Sequence, residues 1–249
     1  MKFQTILYEV PAPLAIITLN RPDKRNALNP QLIAELSDAF AAAEKDSSCR
    51  VVLLKAEGKA FCAGMDLKGV LSDPAAMGRM LHGLSSFLRR VRRLPIPTIA
   101  CVQGAAVGGG CGLMVVADLA ITHAEAKVGY PEVSLGVCPA VVAPWLMRKV
   151  GPGRARAMLL SGGTITGREA VALGLAEQLT EREALAPRAR ELAGKLAGGG
   201  PGAIAATKRW LNELDGSMED AVHDRAADLS ADVIAGAEAQ SRLRAVMGE

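Results

Sequence analysis

The chain of 249 residues is poor in aromatic side chains, with four phenylalanines, two tyrosines and two tryptophans. Proteins that bind single-stranded nucleic acid usually stack bases on such rings, and partners of polyanions usually carry a strong positive charge. The formal net charge here is only +3. Both shortages argue against a nucleic-acid partner, and the core is expected to consist mainly of aliphatic residues and methionine.

A paired cysteine pattern, a histidine cluster and a long apolar run are also missing. The five cysteines are odd in number, irregularly spaced and without a CxxC motif, which predicts reduced thiols in a cytoplasmic protein. The three histidines lie far apart and HExxH is absent, so no metal site is expected. No window approaches the roughly 20 apolar residues of a membrane helix, and no signal peptide is visible, so no membrane association is expected.

The glycine-rich stretch "VGGGCGLMVVADLAIT" (107–122) lacks the known phosphate-binding patterns. No Gly-Lys-Ser/Thr follows it, Leu113 breaks GxGxxG, and the chain has no GxSxG elbow. A strand, a glycine loop and a helix nevertheless follow one another here. This order exposes backbone N–H groups beside the positive end of a helix, where an oxyanion is stabilised.

The pattern along the chain predicts an α/β protein. Strand-like runs alternate with helical periodicity in the first half, and mostly helical sequence follows Val141, with one strand-like run at 176–180. Helices are expected over 30–45, capped by Asn29, and over 74–93. The segment "EGKAFCAG" is expected to be a loop, and the basic run "RRVRR" (89–93) is expected to be a solvated helix end rather than a phosphate contact.

A second glycine-bearing loop, "GKAFCAGMDL" (58–67), also follows a buried strand. Each loop offers a free N–H group, so the two could converge on one carbonyl oxygen. The alternative is that both are merely turns where a helix packs closely on a strand, and the pattern alone favours neither.

Four segments, in this order, resemble the crotonase, or enoyl-CoA hydratase/isomerase, superfamily: "TLNRPDKRNALN", "KAFCAGMDL", "VQGAAVGGGCGLMVVADLAI" and "YPEVSLGVCP". The resemblance implies a spiral of ββα units over 1–190 and a C-terminal helical region over 191–249 that belongs to the same functional unit. It also implies an acyl-CoA thioester substrate, no cofactor besides the coenzyme A of that substrate, and a homotrimer or homohexamer.

By the same resemblance, the N–H groups of Met65 and Gly109 are expected to hold the thioester oxygen in an enolate. A CoA-holding part is expected from Lys24, Arg25, Ala27, Cys62, Ala63, Asp66 and Leu67. Asp66 has an equally good alternative as a local helix cap, and Asp118 could tie a strand end. The sequence does not identify which C-terminal residue, such as Lys208, reaches CoA across a subunit interface.

At Gly112 the sequence departs from the pattern of the family that it resembles. Many hydratases of the family carry one of two catalytic glutamates at the position that matches Gly112, whereas the second is present here as Glu132. Glu132 is therefore the expected acid/base, with a solvated loop residue as the alternative. Gly112 is expected to make room for a bulky acyl group, and "PAVVAP" (139–144) resembles the branch that acts on methylglutaconyl-CoA in leucine breakdown.

Three functions remain open from the sequence. The first is hydration or dehydration of a short or branched enoyl-CoA or 3-hydroxyacyl-CoA, and the second is double-bond isomerisation, which one carboxylate can perform. The third is a CoA-ester-binding or RNA-binding protein with little catalysis, against which Glu132 and the low aromatic content argue.

Overall fold

The computed structural model describes residues 2–67 and 73–247. Two sheets lie within these residues. A six-stranded sheet has the order β1 (Ile6–Glu9), β2 (Leu14–Leu19), β3 (Val51–Ala56), β5 (Thr98–Val102), β7 (Leu119–Thr122) and β10 (Gln178–Leu179). A four-stranded sheet has the order β4 (Ala60–Cys62), β6 (Ala105–Val107), β8 (Lys127–Gly129) and β9 (Thr164–Thr166).

The helices follow the strands and then dominate the C-terminal third. Their bounds are α1 (Pro30–Lys45), α2 (Pro74–Arg93), α3 (Gly109–Val116), α4 (Ala143–Val150), α5 (Pro152–Ser161), α6 (Gly167–Leu173), α7 (Leu185–Ala197), α8 (Pro201–Leu214), α9 (Asp220–Ala235) and α10 (Ala237–Met247). The predicted α/β class is confirmed.

Strand pairing produces a repeated ββα unit. In β3–β4–α2 and again in β5–β6–α3, the first strand joins the large sheet, the second joins the small sheet, and a helix closes the unit. Except for the antiparallel β1–β2 hairpin, the large sheet is parallel. Corresponding strand ends therefore meet at one edge, which brings the loops after β4 and β6 together.

The two long helices predicted from periodicity have the expected bounds. Asn29 caps α1 by accepting a hydrogen bond from the Leu32 N–H at 2.8 Å, and Pro30 occupies the first helical turn, where its missing N–H costs nothing. Asp73 caps α2 in the same way, through the Ala76 N–H at 3.0 Å. The buried positions of α1 recur every three to four residues and pack on α2, where Phe40 meets Phe87 edge to face.

The expectation for one loop and the alternative given for another were wrong. Residues 60–62, predicted as loop, form β4 and pair with β6. Glu132 lies not in an open loop but in a short 3-10 helix, Glu132–Leu135. Both elements are only three or four residues long, and the pattern of so few side chains does not reveal pairing with a distant strand.

The C-terminal helices pack on the core. Helix α7 covers strands β3 and β5. The expected boundary between the core and the C-terminal region, at residue 190, lies within this helix. Helix α9 lies along α2. The basic run at the end of α2 forms ion pairs: Arg89 with Asp220 and Asp224, Arg90 with Glu44, Arg92 with Asp215, and Arg93 with Asp220. This contradicts a simply solvated helix end. Among the described residues, no helix is long and apolar enough to cross a membrane.

Candidate active site

The two glycine loops are in backbone contact. Gly64 has φ +92°, and a Cβ there would lie 2.9 Å from the Val107 carbonyl oxygen and 3.9 Å from the Gly109 nitrogen. A Cβ on Gly110 would overlap the Cys62 carbonyl oxygen. Side chains at these two positions would force the loops apart, so the glycines allow the approach of two segments that lie about 45 residues apart in sequence.

Two N–H groups have no acceptor among the described residues where the loops meet. In the first loop, the Leu28 N–H donates to Gly64 O and the Asp66 N–H donates to Leu28 O, both at 2.7 Å. Neither of these two hydrogen bonds uses the N–H group of Met65, which lies between Gly64 and Asp66. Gly109 begins α3, so its N–H lies at the positive end of that helix. Within residues 2–67 and 73–247, neither the Met65 nor the Gly109 N–H has a backbone or side-chain acceptor. Both are available to a substrate oxygen.

Glu132 faces the same place from the opposite side. Its Oε1 would lie only 2.8 Å from a Cβ on Gly108, so the carboxyl group lies against the glycine loop. Its Oε2 is buried and has no hydrogen-bond partner in the described part of the chain. Burial raises the pKa of Glu132 to about 7, because the charged form loses its water. The group can therefore take up or release a proton near neutral pH.

Two adjoining cavities of about 110 Å³ and about 40 Å³ share the walls formed by Met65, Gly109, Glu132 and Val137. The larger one is also lined by Ala63, Gly64, Leu67, Val107, Gly108, Pro131, Leu135 and Ile234. The smaller one is lined by Leu81, Leu84, Cys138, Pro139, Val141, Val142 and Ser230. Glu132 is the only carboxylate among these lining residues. A cleft of about 420 Å³ lies elsewhere, and one of about 460 Å³ adjoins the smaller cavity at Val137, Cys138 and Pro139, but neither is lined by a carboxylate.

The space beside Gly112 is already filled, contrary to the expectation that it is open for an acyl group. A Cβ on Gly112 would lie 2.6 Å from Val142 Cγ1 and 3.7 Å from Leu88 Cδ1. Packing is also close at Gly109 of α3, because a Cβ there would lie 3.0 Å from Leu28 Cδ1 and 3.2 Å from Leu84 Cδ2. Interior side chains, not an empty space, surround both positions.

The expected CoA-holding residues form two stacked backbone segments. Lys24 and Arg25 are exposed, the Ala27 N–H donates to Lys24 O, and the Ala63 N–H donates to Arg25 O, both at 3.0 Å. Leu67 lies on the cavity wall. Cys62 is fully buried, and burial raises the pKa of its thiol to about 12, so only its backbone is close to this surface.

Two residues missed in the sequence hold these segments together. Arg21 forms an ion pair with Asp66 at 3.1 Å and also donates to Ala27 O. Asn26 is fully buried: its amide donates to the backbone oxygens of Glu57 and Ala60 at 2.8 and 2.9 Å. The run "NRPDKRN" predicts a polar turn, but the sequence does not indicate which distant residues its side chains contact. The carboxylate of Asp66 thus joins its own segment to the segment that contains Arg21.

Two polar residues that were candidates in the sequence have structural roles. Asp118 accepts hydrogen bonds from the Thr98 N–H and hydroxyl at 2.7 and 2.8 Å, which ties the starts of β5 and β7. Lys208 is buried, donates to Ile96 O and forms an ion pair with Asp118 at 2.6 Å. These two contacts hold the Lys208 ammonium group between Ile96 O and Asp118.

Helix α9 contributes walls that the sequence did not indicate. Ser230 lines the smaller cavity and donates to Cys138 O at 3.0 Å, while Ile234 lines the larger one. Both are buried. Their helical spacing of four residues marks one face of α9, but the sequence does not say what that face covers.

The chain is similar to known proteins along most of its length. The family model described as enoyl-CoA hydratase/isomerase matches residues 9–245. A crotonyl-CoA hydratase of Syntrophomonas wolfei is 34% identical over 235 residues, covering 93% of this chain and 89% of that protein. A short-chain-enoyl-CoA hydratase of Clostridium acetobutylicum is 33% identical over 215 residues, covering 85% and 82%.

A solved structure extends the similarity to three dimensions. The crystal structure of an enoyl-CoA hydratase/isomerase from Mycobacterium paratuberculosis superimposes with a TM-score of 0.89 at 27% identity, covering 98% of this chain and all of that one (100%). The relatives cover nearly the whole chain, including the glycine loops, Glu132 and the C-terminal helices. The chain is an enzyme of the hydratase type and belongs to the enoyl-CoA hydratase/isomerase family, the crotonase superfamily.

Proposed function

We propose that the enzyme adds water to a short, straight or branched 2-enoyl-CoA, or removes it from the matching 3-hydroxyacyl-CoA, through an enolate. The observation that carries this proposal is the position of Glu132, whose buried carboxyl group faces the cavity shared with the free N–H groups of Met65 and Gly109. The hydratases among its relatives support the same class of reaction.

In the proposed reaction the thioester oxygen accepts hydrogen bonds from the Met65 and Gly109 N–H groups. The ionised Glu132 removes a proton from a water molecule while the oxygen of that water bonds to C3. The electron pair of the double bond moves towards the thioester, and negative charge develops on the thioester oxygen. Glu132 then returns that proton to C2, which regenerates the carboxylate and completes the addition. Two fixed donors in a dry site stabilise the enolate, and one such donor contributes about 2.7–4 kcal/mol.

The smaller cavity supports a short acyl group. Its volume of about 40 Å³ is bounded by aliphatic side chains, including Leu81, Leu84 and Val141. These walls exclude water from the acyl chain and leave space for only a few carbons. The resemblance of 139–144 to a branch with branched substrates is the reason for including branched acyl groups in the proposal.

The CoA portion is proposed to lie along the two stacked backbone segments. Lys24 and Arg25 are two exposed cations on the backbone segment that bonds Ala63 of the larger cavity, and they would attract the phosphates of CoA. The backbone of Ala27, Cys62 and Ala63, held by the Arg21–Asp66 ion pair, supplies hydrogen-bonding groups. The proposal needs no other cofactor and no metal.

A substrate panel tests the reaction. Crotonyl-CoA, branched enoyl-CoAs and 3-hydroxyacyl-CoAs are incubated with the enzyme and the products are identified by mass spectrometry. A gain or loss of 18 mass units supports the proposal. No turnover of any substrate would contradict it and would favour a CoA-ester-binding protein with little catalysis.

Double-bond isomerisation is a second candidate, because one carboxylate serves it fully. Glu132 would remove a proton from C4 and return it to C2, or the reverse, with no water to position. The aliphatic walls and the lack of another carboxylate among the lining residues favour this possibility. A shifted double bond at constant mass would identify it, read by the chromatographic separation of the isomeric products.

The assembly is proposed to be a homotrimer or homohexamer. Helix α8 exposes an apolar face formed by Trp210, Leu211 and Leu214, which are 58, 53 and 64% exposed. Such a face is typical of a surface covered by another subunit. Light scattering after size exclusion measures the mass, and a monomer would contradict this. The cytoplasm is the proposed location, and all five cysteines are free thiols.

A further inference from the structure

We propose that Val142 determines the length of the acyl chain by filling the space that Gly112 leaves beside the catalytic cavity, so that four-carbon acyl groups are preferred. This inference rests on the proposed acyl-CoA substrate. It concerns which substrate fits and is independent of whether hydration or isomerisation follows.

Val142 touches both Gly112 and the cavity. Its Cγ1 would lie 2.6 Å from a Cβ on Gly112, and the same side chain lines the cavity of about 40 Å³ together with Glu132 and Gly109. Val142 is 3% exposed. The side chain of Val142 is thus a partition that separates the catalytic cavity from Gly112 on α3.

The partition is held in place by the backbone around it. Val142 precedes α4, and its carbonyl oxygen accepts the Leu146 N–H at 3.1 Å, while the Ala143 N–H donates to Pro139 O at 3.1 Å. A β-branched side chain has few accessible rotamers, so Val142 cannot easily swing aside for a longer substrate. On the far side of Gly112, Leu88 is fully buried and closes the space.

Removing the two methyl groups of Val142 is therefore expected to join the space beside Gly112 to the cavity. Among the other lining residues, Leu84 also packs beside a glycine of α3, but that glycine is Gly109, which itself lines both cavities, so a methyl group added there would enter the site. Truncating the other lining residues would leave holes bounded by their neighbours, whereas the space at Gly112 can be refilled by a single methyl group on that residue. Gly112 and Val142 thus form a pair whose effects on substrate length should cancel.

Calorimetry with two saturated thioesters, butyryl-CoA and hexanoyl-CoA, measures this preference without turnover. In Val142→Ala, the ratio of hexanoyl-CoA to butyryl-CoA affinity is expected to rise about tenfold or more, since one methylene in an apolar pocket changes discrimination by about 10–200-fold. In Gly112→Ala/Val142→Ala, the added methyl occupies the freed space, and the ratio is expected to return to within about threefold of the wild type.

Val116→Ala is the matched control. Val116 is buried on α3, loses the same two methyl groups and does not line either cavity as described. In Val116→Ala, the ratio of hexanoyl-CoA to butyryl-CoA affinity is expected to stay at the wild-type value. An equal rise in Val116→Ala, an unchanged ratio in Val142→Ala, or a double variant that keeps the ratio of Val142→Ala would each overturn the inference.

Failure of the proposed function gives a different result. If the wild type binds neither thioester, the acyl-CoA substrate itself is wrong, and the inference is overturned with it. If the wild type binds both and Val142→Ala keeps the wild-type ratio, the proposed function stands and only the role of Val142 is refuted.

Discussion

Replacing Glu132 by glutamine should abolish most activity and yet stabilise the fold at alkaline pH. The carboxyl group is buried, Oε2 has no partner among the described residues, and burial raises its pKa to about 7. A group whose pKa is raised on folding binds more protons in the folded state than in the unfolded one between about 4.5 and 7. The free energy of unfolding therefore falls as pH rises through this window and stays lower above it.

The size of this effect follows from the two pKa values. The difference between 4.5 and about 7, at about 1.4 kcal/mol per pH unit, corresponds to roughly 3 kcal/mol. Glutamine has the same shape and does not ionise, so it does not suffer this loss. The stability of Glu132→Gln relative to the wild type is expected to be roughly 3 kcal/mol more favourable at pH 8 than at pH 4.

Urea denaturation of both proteins at pH 4 and pH 8 measures that difference. Glu183→Gln, at an exposed position on the surface, controls for the loss of one negative charge. A relative stability of Glu132→Gln that is the same at both pH values would refute the account of Glu132 as a carboxylate destabilised by burial.

The kinetics provide the second half of the same prediction. Each proposed reaction begins with proton removal by the ionised Glu132, so kcat/KM of the wild type should rise tenfold per pH unit below about 7 and level off above it. In Glu132→Gln, kcat should fall by about 10²–10⁴ while the affinity for butyryl-CoA changes little. An unchanged rate would remove Glu132 from the mechanism.

Three further changes test the remaining parts of the site. Gly109→Pro and Gly109→Ala add the same Cβ, but only proline removes the N–H, so proline should lower kcat by about 10²–10³ more than alanine in steady-state assays; equal rates would exclude this donor. Gly112→Glu should lower the melting temperature measured by circular dichroism, because it places a carboxylate against Val142, and a folded variant that gains hydration of crotonyl-CoA would contradict the packing described here. Lys24→Ala/Arg25→Ala should weaken binding of CoA thioesters in calorimetry, most at low salt, and an effect independent of salt would show that these cations do not attract the phosphates.

The long, regular elements were predictable because local chemistry determines them. Asn29 and Pro30 mark the start of α1 in the sequence, and its apolar residues repeat at helical spacing, as the structure confirms. The small sheet was not predicted, since its strands are three residues long and include "AAV" and "KVG", which carry too few side chains for an alternating pattern. Such strands are stabilised by pairing with distant segments, which local propensity does not encode.

The candidate site shows the same division between local and distant information. Met65, Gly109 and Glu132 were expected from family resemblance, and the structure places them around shared cavities. The pairing of Arg21 with Asp66 was missed, because many carboxylates in the chain could have paired with that arginine. Gly112 shows the limit most clearly, since Val142, thirty residues away, decides what the missing side chain means.

The contribution of α9 to the cavity walls has a consequence for how the enzyme is made. Ribosomes add residues from the N-terminus at about 5–20 per second, so both glycine loops and Glu132 are synthesised seconds before Ser230 and Ile234. Until α9 emerges, the face of α2 that it covers, which includes Gly78 beside Ala231 and Ser85 bonded to His223 O, stays open to water and to other nascent chains. The nascent chain therefore passes through a stage in which the proton-transfer group exists but its dry surroundings do not, and competence begins only once α9 has been synthesised.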